Sequence, residues 1–120
     1  MNDLNGLEFI RTYFDELFNQ RNINALDIYL HEEYFDDDIG DPAVDHIQRS
    51  KEFLADLFRR NPMICVEVID AITHENIISA FLEWSVKENG HKRVIRKGVA
   101  VFVIENRKIR RRHTFLYFKD

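Results

Sequence analysis

The sequence predicts an α+β domain in which three N-terminal helices pack on a strongly curved antiparallel sheet, forming a cone able to hold one small molecule. Three observations predict it. Up to Arg60 the apolar residues recur at helical spacing. From Met63 onward apolar and polar residues alternate and β-branched residues dominate. Asn89-Gly90 lies between two such alternating runs, as a tight hairpin requires.

The first helix is expected over Leu4 to Gln20, where Leu7, Ile10, Phe14, Leu17 and Phe18 form one apolar stripe. Asn5 followed by Glu8 has the spacing of a capping box. Phe9 and Tyr13 widen the stripe, so this helix should act as a lid or inner wall. A short second helix follows from Asn24 as cap, through Leu26, Tyr29 and Leu30. Tyr34 to Ile39 reads as a short strand running into a loop, and Gly40-Asp41-Pro42 turns the chain. The third helix runs from about Ser50 to Arg60, with Arg59 and Arg60 suiting its negative end and Asn61-Pro62 stopping it.

Ile64 to Ile72 makes the first long strand, and His74-Glu75-Asn76 a turn. Ile78, Ala80, Leu82, Trp84 and Val86 alternate with polar residues, the signature of a half-buried strand. After the Asn89-Gly90 turn, Lys92 to Ile104 returns, Glu105 to Lys108 turns again, and Ile109 to Phe118 closes a four-stranded meander. Gly98 to Ile104 is apolar on both faces, although the helices can cover only one. A second copy on the other face, giving a twofold homodimer through the sheet, is the expected cover; strong curvature alone is the alternative.

The 120 residues suit one domain, 1–120, and the 45% hydrophobic and 32% charged composition suits a globular chain. Ten Phe, four Tyr and one Trp supply either a crowded core or an apolar cavity. A net charge of −4 offers no general attraction for nucleic acid. A lone Cys65, the absence of an apolar run near the length of a membrane span and the absence of a secretory signal at Met1 to Leu7 together imply a cytoplasmic protein without membrane partners.

Several strings, in order, resemble the nuclear transport factor 2-like (cystatin-like) superfamily, notably its SnoaL-like polyketide cyclase and ketosteroid isomerase branches. They are Tyr13 to Asn19 with Asn22 to Leu26, Tyr34 to Asp38, Ser50 to Leu54 before Asn61-Pro62, and Val101 to Ile109. The resemblance covers nearly the whole chain and implies an apolar pocket between the helices and the concave sheet, commonly in a dimer. It implies a pocket face including Tyr13 or Phe14, Asp38, Leu82, Trp84 and Val86. It also sets Asp38 where the isomerase branch keeps its carboxylate base and Tyr13 near that branch's oxyanion-donating tyrosine. The types suit the chemistry, since a carboxylate in a dry pocket moves a proton between carbons and a phenol stabilises the enolate. That branch's second, un-ionised acid corresponds here to Val99 or Ala100, which argues against ketosteroid isomerase activity.

The plain alternatives remain beside these roles. Asp38 belongs to the run Asp36-Asp37-Asp38, which suits a wet loop, and Tyr13 can pack with its hydroxyl at a cavity rim. Alternation sends Arg110, Arg111 and Arg112 to both faces of the last strand; Arg112 or Arg110, if inward, favours an anionic ligand or pairs with Asp38 or Glu83. His46, ahead of the third helix, is a candidate for the rim. No metal motif, nucleophile elbow, phosphate loop or dinucleotide fingerprint occurs, so neither metal nor cofactor is implied.

Two functions follow. One is a cofactor-free isomerase, cyclase, dehydratase or hydrolase for an apolar substrate, with Asp38 as acid/base, Tyr13 and Arg112 orienting polar atoms, and Phe14, Leu82, Trp84 and Val86 forming the walls. The other is a non-catalytic ligand- or protein-binding dimerisation module. An enclosed cavity of about 300 Å³ or more with Asp38 buried in its wall favours the first; an aromatic-filled cone with Asp38 in water favours the second.

Overall fold

A computed structural model describes residues 5–119, with side chains described for 5–117; the expected helix start at Leu4 lies outside them. Helix α1 spans Gly6–Phe14 and continues as a π-helical turn, Asp15–Asn19. Helix α2 spans Ala25–Tyr29, strand β1 Leu30–Asp36 and helix α3 His46–Arg60. Strands β2 (Ile64–His74), β3 (Ile77–Glu88), β4 (His91–Glu105) and β5 (Lys108–Lys119) complete one five-stranded sheet in the order β1-β5-β4-β3-β2. No helix among the described residues is long and apolar enough to cross a membrane.

The helices form where the apolar stripe and caps direct. Asn5 caps α1 through its side chain, accepting from the Glu8 N–H at 3.1 Å. The π turn contains the apolar pair Leu17-Phe18, both of which are buried. Arg11 donates to the Val68 and Ile69 carbonyls, and Asn19 exchanges hydrogen bonds with the Val66 backbone, so α1 is clasped along β2. Asn24 holds the cap position of α2 without a side-chain cap bond. Helix α3 begins four residues before the expected Ser50, because Asp45 caps it by accepting from the Gln48 N–H.

The sheet is mixed rather than purely antiparallel. The meander β2 to β5 is antiparallel throughout, but β1 runs parallel to β5, pairing Asp36 with Arg112. Asn89 and Gly90 both take positive φ, 54° and 79°, as the hairpin reading requires. Asn106 and Arg107 make the second such turn, with φ of 53° and 62°. Bulges place an extra residue, Ile95, in β4 opposite Trp84/Ser85 and another, Tyr117, in β5 opposite Lys97/Gly98, and bulges bend a sheet. At Gly98 an added Cβ would stand 2.6 Å from the Phe115 carbonyl oxygen, so the close approach of β5 needs glycine there.

The concave face of the sheet and the inner faces of α1 and α2 share one core. Ile10, Leu26, Phe102 and Ile109 are almost fully buried in it. Rings from both layers meet edge to face, Tyr13 on Phe102 at 6.3 Å and Phe14 on Phe102 at 6.0 Å.

Candidate functional site

The core does not fill the cone. A cavity of about 460 Å³ lies between α1, α3 and the concave sheet, within the size range of small-molecule sites. Tyr13 and Phe14 line it from α1, Phe53 and Leu57 from α3, and Trp84 and Leu116 from the sheet. Asp36, Asp38, Arg49, Arg96 and Arg112 bring charge to these walls.

Register places the principal polar group. Along β1 the buried positions are Leu30, Tyr34 and Asp36, so the inward carboxylate on the strand is Asp36, with only 3% exposed. Its Oδ2 accepts from the Arg112 Nη2 at 2.9 Å and from the Tyr34 hydroxyl at 3.1 Å, and its Oδ1 accepts from the Asp38 N–H at 2.9 Å. The same Nη2 reaches Asp38 Oδ2 at 3.1 Å, while Nη1 donates to Thr114 Oγ1 at 2.8 Å. Burial works against charge on Arg112, but Tyr34, Asp36, Asp38 and Tyr13 around it more than offset that and hold the guanidinium ionised.

Asp38 lies just past β1, where the Asp36 side chain fixes its backbone. Its side chain is 39% exposed. It therefore stands at the cavity edge, with one oxygen on Arg112 and the other 3.9 Å from the His113 Nε2. Tyr13 is buried, and its hydroxyl has no hydrogen-bond partner among the described residues. Burial pushes this phenol well above its usual range; Arg112 opposes the shift and Asp36 adds to it. Tyr13 thus remains a neutral donor with an open valence on the cavity wall.

The seven candidate residues therefore divide. Tyr13, Phe14, Asp38, Trp84 and Arg112 share the cavity wall, and both Tyr13 and Phe14 face it rather than one or the other. Leu82 and Val86 do not line it. Leu82 is 1% exposed within the packed core, and Val86, beyond the Ile95 bulge of β4, packs against that core. Of the consecutive arginines, Arg112 faces inward. Arg111 pairs with Asp37 on the other side at 2.7 Å, and Arg110 pairs with Glu33 and Glu105 at the edge. Glu83 pairs with Lys97, leaving Asp38 and Asp36 to Arg112.

His46 is not a rim residue. It is the first residue of α3 and is buried. Its Nδ1 accepts from the Asp36 N–H at 2.8 Å, its Nε2 is 2.8 Å from the Asp41 carbonyl oxygen, and its ring stacks on Phe35. Both nitrogens are used to fix the end of β1 against the start of α3. Three cavity residues, Tyr34, Asp36 and Arg96, carried no role in the sequence reading. Period two carried forward from the buried Tyr34 marks Asp36, and Arg96 is in phase with the buried Ala100 and Phe102 on β4.

Comparison with known proteins places this architecture. A family model described as SnoaL-like domain matches residues 10–112. No curated protein matches the sequence. A SnoaL-like polyketide cyclase from Agrobacterium tumefaciens superposes with a TM-score of 0.72 at 17% identity, over 92% of this chain and 89% of that one. TsrD from Streptomyces laurentii gives 0.70 at 16% identity, over 91% and 85% of the two chains. An uncharacterised cystatin-fold protein from Novosphingobium aromaticivorans gives 0.71 at 17% identity, over 93% and 98%. At these identities the solved structures share the fold, and the family match rests on the sequence itself. By that match, spanning all but the two ends, the chain belongs to the SnoaL-like domain family.

Proposed function

We propose that this protein binds a small apolar molecule in its cavity and catalyses proton transfer at a carbon next to a carbonyl, without a cofactor. The observation carrying the reading is the unpartnered Tyr13 hydroxyl on the same wall as Asp38, with Arg112 joined to Asp38 and facing both. Asp38 removes the proton, and Tyr13 donates a hydrogen bond to the carbonyl oxygen as negative charge develops there. Return of that proton to another carbon completes an isomerisation. Attack of the same carbanion on a second carbonyl of the substrate, with the proton passing to the new alkoxide, completes a cyclisation. Arg112 positions Asp38, and Asp36 with Tyr34 positions Arg112.

The probe reaction is the ring opening of 5-nitrobenzisoxazole, which needs only a base in an apolar site. Asp38 takes the ring C–H proton, that bond's electrons form the nitrile, the N–O bond breaks and the phenolate oxygen leaves, accepting from Tyr13. Saturable turnover is expected, falling about 100-fold or more in Asp38→Asn. Turnover unchanged by that substitution would remove Asp38 from the mechanism.

A second reading has its own support. The 39% exposure of Asp38 and its ion pair with Arg112 suit a carboxylate that orients a ligand without reacting. Under this reading the protein is a non-catalytic binding module; it binds apolar ligands normally and shows no turnover above that of acetate at equal pH. In either case the apolar outer sheet face supports a homodimer.

A further inference from the structure

Arg96 lies on β4 directly opposite Trp84 on β3, and both line the cavity. Its surroundings differ from those of Arg112. Arg112 has Asp36, Asp38 and Thr114. Arg96 has a buried Nε without a hydrogen-bond partner among the described residues. A buried guanidinium donor left unpaired costs on the order of 1–3 kcal/mol, more for a charged group, so a folded protein keeps one where something else pairs with it.

The charge of the lining points the same way. Arg49, Arg96 and Arg112 stand against Asp36 and Asp38, and both carboxylates already pair with Arg112. Arg49 has the nearby Glu52 at 4.0 Å on its own helix, at the solvent side. The cavity therefore carries positive charge in a chain whose net charge is −4, and among the described residues no carboxylate pairs with Arg96. The position is also distinct from the reacting end. Arg112 pairs with Phe102 on β4, six residues from Arg96, a separation of roughly 20 Å along the strand.

We propose that Arg96 is the anion-binding residue of the cavity, and that the ligand is an amphipathic carboxylic acid. Its carboxylate pairs with Arg96, its apolar body lies along Trp84, Leu116 and the α3 residues Phe53 and Leu57, and its far end reaches the Asp38–Tyr13 wall. A guanidinium offers two parallel donors to a carboxylate, which gives both strength and orientation. The proposal rests on the reading of the cavity as a small-molecule site and names the class of molecule that enters it.

Trp84, the single tryptophan, serves as the reporter. Decanoate, decanol and decylammonium share one apolar chain and differ in head group, and their binding is followed by Trp84 fluorescence and by calorimetry. Decanoate is expected to bind about tenfold or more tightly than decanol, and decylammonium most weakly. In Arg96→Gln the preference for decanoate over decanol should fall to within about twofold while decanol binding is kept, and Arg96→Lys should restore part of it. The Arg96→Gln chain should melt no lower than the parent, since it loses an unpaired buried donor. Equal binding of decanoate and decanol by the parent, or a preference that survives Arg96→Gln, overturns the anion site and leaves the cavity reading standing. Failure of all three probes to bind overturns the cavity reading, and this proposal with it.

Discussion

Asp36 and Arg112 face each other across the parallel pairing of β1 and β5, with Oδ2 and Nη2 2.9 Å apart. The pair ties the edge strand to the sheet, and both members line the cavity. Asp36 is the buried member of the pair, and its removal strips the hydrogen bonds it accepts from Arg112, Tyr34 and the Asp38 N–H and leaves the part-buried guanidinium only the exposed Asp38. Asp36→Ala is expected to lower the unfolding free energy by about 3–5 kcal/mol, whereas Asp38→Ala, at the exposed end of the same guanidinium, should cost about 1 kcal/mol or less. Urea titration of the two variants checks the ranking. Equal losses would show that Asp36 is not the anchor.

The two tyrosines beside this pair should separate function from stability. The Tyr34 hydroxyl donates to Asp36 in a buried site, so Tyr34→Phe is expected to destabilise by about 1–2 kcal/mol. The Tyr13 hydroxyl has no partner within the described protein, so Tyr13→Phe should change stability by less than about 0.5 kcal/mol. Its effect belongs to turnover of the benzisoxazole, expected to fall about tenfold or more, with little change in decanol binding. A Tyr13→Phe protein that is strongly destabilised would mean that the hydroxyl is held by the fold rather than open to a ligand.

How far this arrangement was legible depends on the range of the interactions that set it. Local signals were sufficient for Asn5 as a cap, for the positive-φ pair Asn89-Gly90 and for the alternation around Trp84. The direction of β1 was not local. Nothing in Leu30 to Asp36 says that its partner is β5 or that the pairing is parallel, since that follows from how α3 returns the chain to the sheet. The choice between Asp36 and Asp38 depended on the same fact, because the inward carboxylate is set by where the strand ends. Asp36 could have been found by carrying period two forward from Tyr34. Arg96 was legible too, in phase with Ala100 and Phe102, but its missing partner is a three-dimensional property. His46 looked like a loop residue because the Asp45 cap lies in a run of turn formers; the cap and its bond to the Asp36 backbone pull it inside.

The buried phenols predict how stability responds to alkali. Tyr13 and Tyr34 are held neutral chiefly by burial, and Tyr29 is pushed up to about 12 by burial and by Glu16, which accepts from its hydroxyl at 2.9 Å. In the unfolded chain all three ionise near the ordinary value of 10.0. The folded state then holds more protons than the unfolded one above that pH, so the stabilisation is complete below about pH 10 and is lost as pH rises. Each fully buried phenol contributes a slope of up to about 1.4 kcal/mol per pH unit, and half-exposed Tyr29 less. Urea midpoints measured from about pH 9 to 11 should therefore fall, and less steeply in Tyr34→Phe once corrected for its lower starting stability. A midpoint flat across this range would contradict the burial of these hydroxyls.

The outer sheet face yields the last prediction. Register aligns Phe81 with Val99 and Val99 with Phe115, and beside them Ile77 with Val103 and Ser79 with Val101. No described helix covers that side, where Ile72, Ile77 and Phe115 are 60%, 37% and 54% exposed. A contiguous apolar patch of this kind is uncommon on a monomer, and a second copy placed about a twofold axis would cover it. Sedimentation at micromolar concentration is expected to show twice the 14.4 kDa chain mass. Val101→Lys, at the centre of the patch, should shift the protein to monomer while the cavity still binds decanol, because Val101 points away from it. A parent protein that sediments only as the single chain would mean that the apolar stripe on β4 serves curvature and packing within one molecule instead.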